Sequence, residues 1–322
     1  MGLEDSGRLE GMTGAALPAE FELELARGGP WKIGPRPALM GILNCTPDSF
    51  SDGGRYADAE AAVSEALQMF EDGADIIDVG GESTRPGAEP VSAEEQLGRI
   101  LPVIRGIRER SEAILSIDTR DPGVGRAALE AGADVVNDVS ACEDPGWIPV
   151  LNEYQCPVIL MHMRGIPSDM QERTRYPDGV MNEICAFLQG RMEELGAGGI
   201  SRGRIVLDPG IGFAKEPGHN IEIMEGLRQL CELGRPVLFG ASRKMFLSRM
   251  IGDSSDHGRE PAQRDVATVA ANTIAVLAGA LVLRVHNVPY TRDLLDVVEA
   301  MQLGSPGTAA AEVLERSARG GA

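Results

Sequence analysis

Basic residues are in deficit along this 322-residue chain: 30 Lys and Arg face 49 Asp and Glu, a formal net charge of −19. No basic stripe is left to meet a phosphate backbone, which excludes a nucleic-acid partner. Only five cysteines occur (Cys45, Cys142, Cys156, Cys185 and Cys231), and no two stand in C-x-x-C spacing. That scatter excludes a disulfide framework and a cysteine zinc site, and reads as reduced thiols in a cytoplasmic setting. Histidine is scarce too, with four in all, and His219 and His257 fall in loop or helix-start segments. A His₃ or His₂-carboxylate metal site therefore has little support. Long apolar runs are missing. Ala267–Leu283 comes nearest, but it holds Thr268, Asn272, Thr273 and Gly279, and reads as a buried helix running into a buried strand, not a membrane span. Met1–Pro18 is acidic, with no basic n-region and no apolar h-region, so it does not read as a signal peptide.

The composition that remains, 43% hydrophobic and 25% charged, belongs to an ordinary globular chain able to bury its own core. Residues 1–36 form an N-terminal extension with little periodicity, and residues after 304 a Gly-rich flexible tail. Between them, over 37–303, one pattern recurs: a short apolar run ends in polar residues and Gly, and a helical segment follows. The strand candidates are Ala38–Asn44, Asp75–Gly80, Ile114–Thr119, Val135–Ser140, Pro157–Met163, Ile205–Pro209, Pro236–Ser242 and Leu281–Asn287. Helical stretches lie between them, among them Asp58–Asp72, Ala93–Arg110, Met181–Glu194 and Asp265–Ala278. The strands are short, β-branched and apolar on both faces, as in a parallel sheet covered by helices. Eight such units over roughly 250 residues predict a single α/β domain, a (β/α)8 TIM barrel. A doubly wound open sheet is the alternative. It would be expected to carry a Gly-rich phosphate fingerprint after its first strand, and neither G-x-G-x-x-G nor a P-loop is present.

In a barrel the loops after the strands build the active site. Each predicted strand ends in a residue that hydrogen-bonds or carries charge: Asn44, Asp78, Asp118, Asn137 with Asp138, His162, Asp208, Ser242 to Lys244, and Arg284 to Asn287. Any one of these could be a cap or a turn residue; eight on one rim are hard to explain by capping alone. Asp138, Ser140, Thr119 and Arg120 read equally as struts, Asp78 as structural, and His162 either way. Carboxylate and amide groups at Asp118, Asn137 and Asp208 suit a flat heterocycle with an amino-amidine edge, because a carboxylate accepts two parallel hydrogen bonds. Lys244 offers a cation to a ring carbonyl. Arg85, Arg284 and His286 offer donors for an oxyanion or pyrophosphate; for Arg284 and His286 an ion pair with a rim carboxylate is the other reading. Asn44 is an oxygen ligand of the kind Mg²⁺ takes when phosphates supply the rest. No Ser-His-Asp arrangement stands out, and G-x-S-x-G is absent.

Over about Pro37 to Leu303 the chain resembles the dihydropteroate synthase family of pterin-binding barrels. The matching blocks are MGILNCTPDSFSDGG (40–54), DVGGESTRPGA (78–88), SIDT (116–119), NDVS (137–140), VILMHMRG (158–165), LDPGIGFAK (207–215), GASRK (240–244) and RVHNV (284–288). They are long, ordered and spread over all eight units. The resemblance implies condensation of 6-hydroxymethyl-7,8-dihydropterin pyrophosphate with p-aminobenzoate in folate synthesis. It implies a pterin pocket of Asp118, Asn137, Asp208 and Lys244, walled by Met161, Phe213 and Gly240. Pyrophosphate would meet Asn44, Thr84, Arg85, Arg284 and His286, with Mg²⁺ bridging to Asn44. Phe50, Thr84, Pro86 and Ser242 match p-aminobenzoate positions, and the loops 45–56 and 81–90 would close over the site. Arg85, Lys244, Arg284, His286 and Asp52 would carry the chemistry. The resemblance further implies a homodimer and inhibition by sulfonamides.

Three positions depart from the family pattern. Cys45 stands where an aliphatic residue is commoner, a neutral exchange. Asn287 replaces Asp in R-V-H-D, which is expected to weaken the orientation of His286 or of a nearby contact. Met245 follows S-R-K where Ser or Arg is common, and is expected to reduce p-aminobenzoate affinity at most. A methyltetrahydrofolate–corrinoid methyltransferase would also use Asp118, Asn137 and Asp208, but has no need of Arg85, the S-R-K run or the Arg-x-His pair. A non-catalytic pterin-binding paralogue is a third reading.

Overall fold

The computed structural model describes residues 20–46, 55–85, 87–253, 255 and 258–303. The barrel strands are β3 (Ala38–Asn44), β4 (Ile76–Gly80), β5 (Ile114–Asp118), β6 (Val135–Asp138), β7 (Val158–Met161), β8 (Ile205–Asp208), β9 (Leu238–Phe239) and β10 (Val282–Val285). All their pairings are parallel, in the order β8-β7-β6-β5-β4-β3-β10-β9. A parallel bridge between Leu207 and Val237 brings the two end strands together. This is the expected (β/α)8 architecture. The helices on its outside include α1 (Arg55–Glu71), α2 (Ala93–Arg108), α3 (Pro122–Ala131), α4 (Trp147–Tyr154), α5 (Val180–Ala197), α6 (Pro217–Cys231), α7 (Met245–Met250), α8 (Asp265–Leu277) and α9 (Val288–Leu303). Among the described residues no helix is long and apolar enough to cross a membrane.

The helices begin where local chemistry allows. Ser92 caps α2 by accepting from Glu95 N–H at 3.2 Å, Glu94 and Glu95 occupy its first turn, and Arg105 and Arg108 its last. Both charge placements complement the helix dipole. Ile100, Val103, Ile104 and Ile107 recur at helical spacing and are buried. Asp121 caps α3 through Gly123 N–H and Val124 N–H, Pro122 opens it, and Gly132 closes it at φ 116°. Gly125 of α3 has a packing reason: a Cβ there would sit 2.3 Å from the Trp147 ring of α4.

Side-chain alternation along each strand divides the core in two. One set, including Ile77, Val79, Leu115 and Ile117, packs under the helices. The other set faces inward, and its lower members, Met40, Ile76, Val135, Ile159, Val206, Leu238 and Val282, form a separate apolar cluster. Moving up the same faces, the inward residues turn polar: Asp78 and Asp118 follow Ile76 and Ile114, Asn137 follows Val135, Asp208 follows Val206, and Arg284 follows Val282. The strands are thus apolar at the floor and charged at the mouth.

The segment before Pro37, where periodicity is weak, contributes β1 (Phe21–Glu24) and β2 (Pro30–Ile33), an antiparallel hairpin. Leu23, Trp31 and Ile33 are buried in the floor cluster, so the hairpin plugs the end of the barrel opposite the mouth. Four-residue strands are too short for alternation to declare itself in a sequence. Arg27 of the hairpin turn bonds buried Asp134 at 2.9 Å; Arg108 and Leu115 N–H also donate to that carboxylate.

Several strands stop sooner than their apolar runs suggest. Val135–Ser140 pairs only to Asp138, because the Asp138 carboxylate then accepts from Ser140 N–H at 2.7 Å and Cys142 N–H at 2.8 Å and turns the chain. Asp138 is therefore a local strut. Pro236–Ser242 contracts to Leu238–Phe239 and then turns at Arg243, whose φ is 59°.

Candidate active site

The mouth is organised around Arg284 of β10. Its Nε donates to Asp78 Oδ2 at 2.6 Å and an Nη to Asp118 Oδ2 at 2.7 Å. The guanidinium thus reaches past β3 to β4 and β5. Asn137 donates its amide to the same Asp78 oxygen at 2.9 Å. Asp78 is fully buried and its other oxygen, Oδ1, has no hydrogen-bond partner. Burial alone would lower the Arg284 pKa, but Asp78 and Asp118 outweigh it and hold the group firmly charged. The ion-pair reading of Arg284 therefore stands alongside the clamp reading. Asp78 is the residue the sequence undervalued: at a strand end an Asp looks like a turn former, and only the closed barrel sets it against Arg284.

Burial pushes Asp118 up to about 7, with Arg284 pulling back and Asp78 adding to the rise. Asp208 is raised by burial as well, opposed by Lys244; its Oδ1 accepts from Gly210 N–H at 2.7 Å. Lys244 is drawn down to about 7, again mainly by burial. Its Nζ bonds the Ile211 carbonyl and lies 4.3 Å from the centroid of the Phe213 ring. Met161 is register partner of Asp208, and Gly240 lies near Arg284, since a Cβ there would meet Arg284 Cβ at 3.8 Å. All seven residues assigned to the pterin pocket by resemblance therefore lie at one end of the barrel.

The loop after β8 is held by a buried lysine that sequence reading passed over. Lys215 Nζ bonds the Phe213 carbonyl at 2.8 Å, His162 Nδ1 at 3.0 Å and the His162 carbonyl at 3.2 Å. Burial pulls Lys215 well below the usual lysine range and His162 to about 2, so a neutral imidazole faces the lysine. His162 is thus engaged in loop support. Gly210, at φ 68°, permits the close approach: a Cβ there would lie 2.0 Å from the His162 oxygen. Beside His162 a cavity of about 630 Å³ opens between Arg164, Arg175, Glu183 and Phe187; none of the residues matched to the pterin lines it.

His286 Nδ1 and Ser242 Oγ are 2.9 Å apart, and His286 N–H donates to the same hydroxyl at 3.1 Å. Burial, with Arg243, Arg284 and Arg85 nearby, lowers His286 to about 3, so the imidazole is neutral. The Asn287 side chain does not bond the imidazole. Its amide goes to Asp265 at 3.0 Å and its oxygen caps α9 through Tyr290 N–H at 3.1 Å. Asn44 and Thr84 are half-buried and Arg85 is exposed; Asn44 pairs Gly80, which pairs Asp118. Phe50, Asp52 and Pro86 lie outside the described residues. Among the described residues no cluster of three His, Cys, Asp or Glu side chains could hold a metal unaided.

A parallel barrel with buried carboxylates, an amide and two cations at the strand ends has the chemistry to suit a planar, hydrogen-bonding ring. In agreement, a family model described as pterin binding enzyme matches residues 40–286. A dihydropteroate synthase of Streptococcus pyogenes is 42% identical over 274 residues, covering 85% of this chain and 98% of that protein. The Xanthomonas albilineans dihydropteroate synthase solved with 4-aminobenzoic acid superposes with a TM-score of 0.81 at 43% identity, over 88% of this chain and 99% of its own. The Xanthomonas structure with 7,8-dihydropteroate gives 0.74 at 42% identity, over 83% and 94%. The chain belongs to the dihydropteroate synthase family, and it is a transferase.

Proposed function

We propose that the barrel mouth joins 6-hydroxymethyl-7,8-dihydropterin pyrophosphate to p-aminobenzoate, giving 7,8-dihydropteroate and pyrophosphate. The observation that carries the assignment of roles is the buried set Asp118, Asn137 and Asp208 facing Lys244 and Phe213 around one opening. Carboxylates and an amide in a desolvated pocket match the amino and ring N–H edge of a pterin. Lys244 meets its carbonyl, Phe213 and Met161 its faces, and Gly240 leaves room for it.

The pyrophosphate end meets Thr84, Arg85, Arg284 and His286. Asn44 fits a magnesium ion as a single neutral oxygen ligand, the arrangement Mg²⁺ adopts when phosphate oxygens and water complete its shell. When bound, the ion supplies Lewis-acid neutralisation of the diphosphate. The C–O bond at the pterin methylene breaks, and its electron pair leaves with pyrophosphate. Arg85 and His286 donate to the departing oxygens, and Arg284 adds positive field from its ion-paired position. Asp52 stabilises the pterin cation. The arylamine nitrogen of p-aminobenzoate, held by Phe50, Thr84, Pro86 and Ser242, attacks the methylene carbon and then releases a proton to solvent. No strong general base is required, because an arylamine is neutral at pH 7. Closure of loops 45–56 and 81–90 excludes water that would trap the cation.

The protein works in the cytoplasm, consistent with five unpaired cysteines. It forms a homodimer; exposed Val266, Tyr290, Val297 and Met301 on adjacent α8 and α9 offer an apolar face for it. The test is pyrophosphate release from the pterin pyrophosphate with Mg²⁺, with and without p-aminobenzoate, and the product identified by mass. Release that depends on p-aminobenzoate supports the assignment. Tight binding of the pterin pyrophosphate without product would overturn it in favour of a non-catalytic pterin binder.

A further inference from the structure

Arg243 lies between two residues of the site, Ser242 and Lys244, yet its own side chain points elsewhere. Its φ of 59° is left-handed, a conformation an arginine holds only when its surroundings enforce it. The enforcing contacts come from the segment around α8. Arg243 N–H donates to Thr268 Oγ1 at 3.1 Å, and the Arg243 carbonyl accepts from Arg264 at 2.7 Å. The guanidinium forms a two-pronged pair with Asp265, Nε to Oδ1 at 2.7 Å and an Nη to Oδ2 at 3.0 Å. Asn287, directly after His286, donates its amide to that same Oδ2 at 3.0 Å. One buried carboxylate on α8 therefore ties together the loop after β9, which carries Ser242 and Lys244, and the end of β10, which carries His286. Ser242 and His286 are themselves 2.9 Å apart, so the bracket sets the spacing of groups that touch each other.

We propose that Asp265 is a positioning residue for the active site, and that Asn287 is the neutral partner its carboxylate requires. Asp265 Oδ2 accepts from both donors, so an Asp at 287 would set two carboxylates against each other where one now receives an N–H. The same geometry means that a carboxylate at 287 lies within reach of Arg243, so the negative charge can serve from either position but not from both. The roles assigned to Ser242, Lys244 and His286 rest on the synthase reading above; the bracket itself rests only on the contacts.

The test is a charge-relocation cycle in the full chain: wild type, Asp265→Asn, Asn287→Asp, and the double variant. Steady-state kinetics read kcat/KM for the pterin pyrophosphate and KM for p-aminobenzoate. Calorimetry reads affinity for inorganic pyrophosphate, and a melting curve the folded fraction. Each single variant should lose about tenfold in kcat/KM, the size expected for side chains in direct contact, and the double should return to within about threefold of wild type. Pyrophosphate affinity should follow the same pattern. Losses that multiply in the double, or singles that keep wild-type activity per folded molecule, overturn the proposal. Asn287→Asp keeps an N-cap as good as the one it replaces, so it reports even if Asp265→Asn melts. Failure of the synthase reading is separately visible: wild type then releases no pyrophosphate, while pyrophosphate affinity still follows or fails the cycle.

Discussion

Arg284 and Asp78, 206 residues apart in sequence, meet at 2.6 Å in the centre of the barrel mouth. The contact closes a chain in which Asp118 and Asn137 also take part, and it leaves one oxygen of Asp78 buried without a partner. Arg284 therefore neutralises two buried carboxylates before it does anything for a substrate.

That double duty separates two outcomes for Arg284→Ala. Removing one partner of a buried pair leaves uncompensated charge, which costs about 3–5 kcal/mol. The variant should lose turnover and melt well below wild type. Combining Arg284→Met with Asp78→Asn should recover part of the melting temperature, since Asp118 still lacks its partner, but none of the turnover. Recovery of turnover in that double variant would mean that Arg284 serves the fold alone.

Asp208→Asn tests the pterin side. The carboxylate is buried, and Gly210 N–H occupies one of its oxygens, so the amide swap keeps the shape and removes the charge. Calorimetry should find pterin affinity lower by about a hundredfold, the size of a lost charge-assisted pair, with p-aminobenzoate KM changed little. Unchanged pterin affinity would remove Asp208 from the pocket.

The floor can be tested apart from the mouth. Trp31 is buried in the cluster with Met40, Ile76 and Val206. Trp31→Ala should destabilise the protein by about 3–5 kcal/mol in chemical denaturation. At a temperature where the variant is folded, kcat should stay near wild type, since no residue of the floor cluster belongs to the site. A matching loss of kcat would show that the hairpin shapes the mouth.

The barrel and most of its mouth were legible because parallel strands buried on both faces leave short, unbroken apolar runs, and because polar residues interrupt those runs at one end only. Asp118, Asn137, Asp208, Lys244 and Arg284 could all be found that way. The hairpin could not, since strands of four residues carry too few alternations. Lys215 could not either: nothing local distinguishes a lysine on the surface from one whose ammonium lies against His162 and the Phe213 carbonyl. Asn287 looked like a weakened support for His286 until Asp265, 22 positions away, supplied its partner. The last two misses are contacts between segments distant along the chain.

The electrostatics of the pocket set its pH dependence. Burial holds Asp118 up at about 7 and Lys244 down at about 7. Below this value Asp118 gains a proton and no longer accepts freely from the donor edge of the pterin. Above it Lys244 loses its proton and offers no cation to the ring carbonyl. Both changes weaken the same complex, so kcat/KM for the pterin pyrophosphate should be bell-shaped, with its maximum near neutrality. Lys244→Met removes the group that titrates on the alkaline side. Its profile should be lower throughout and should keep the acid limb while losing the alkaline one. A profile flat from about pH 5 to about pH 9, or an alkaline limb that survives in Lys244→Met, would mean that another group controls the mouth.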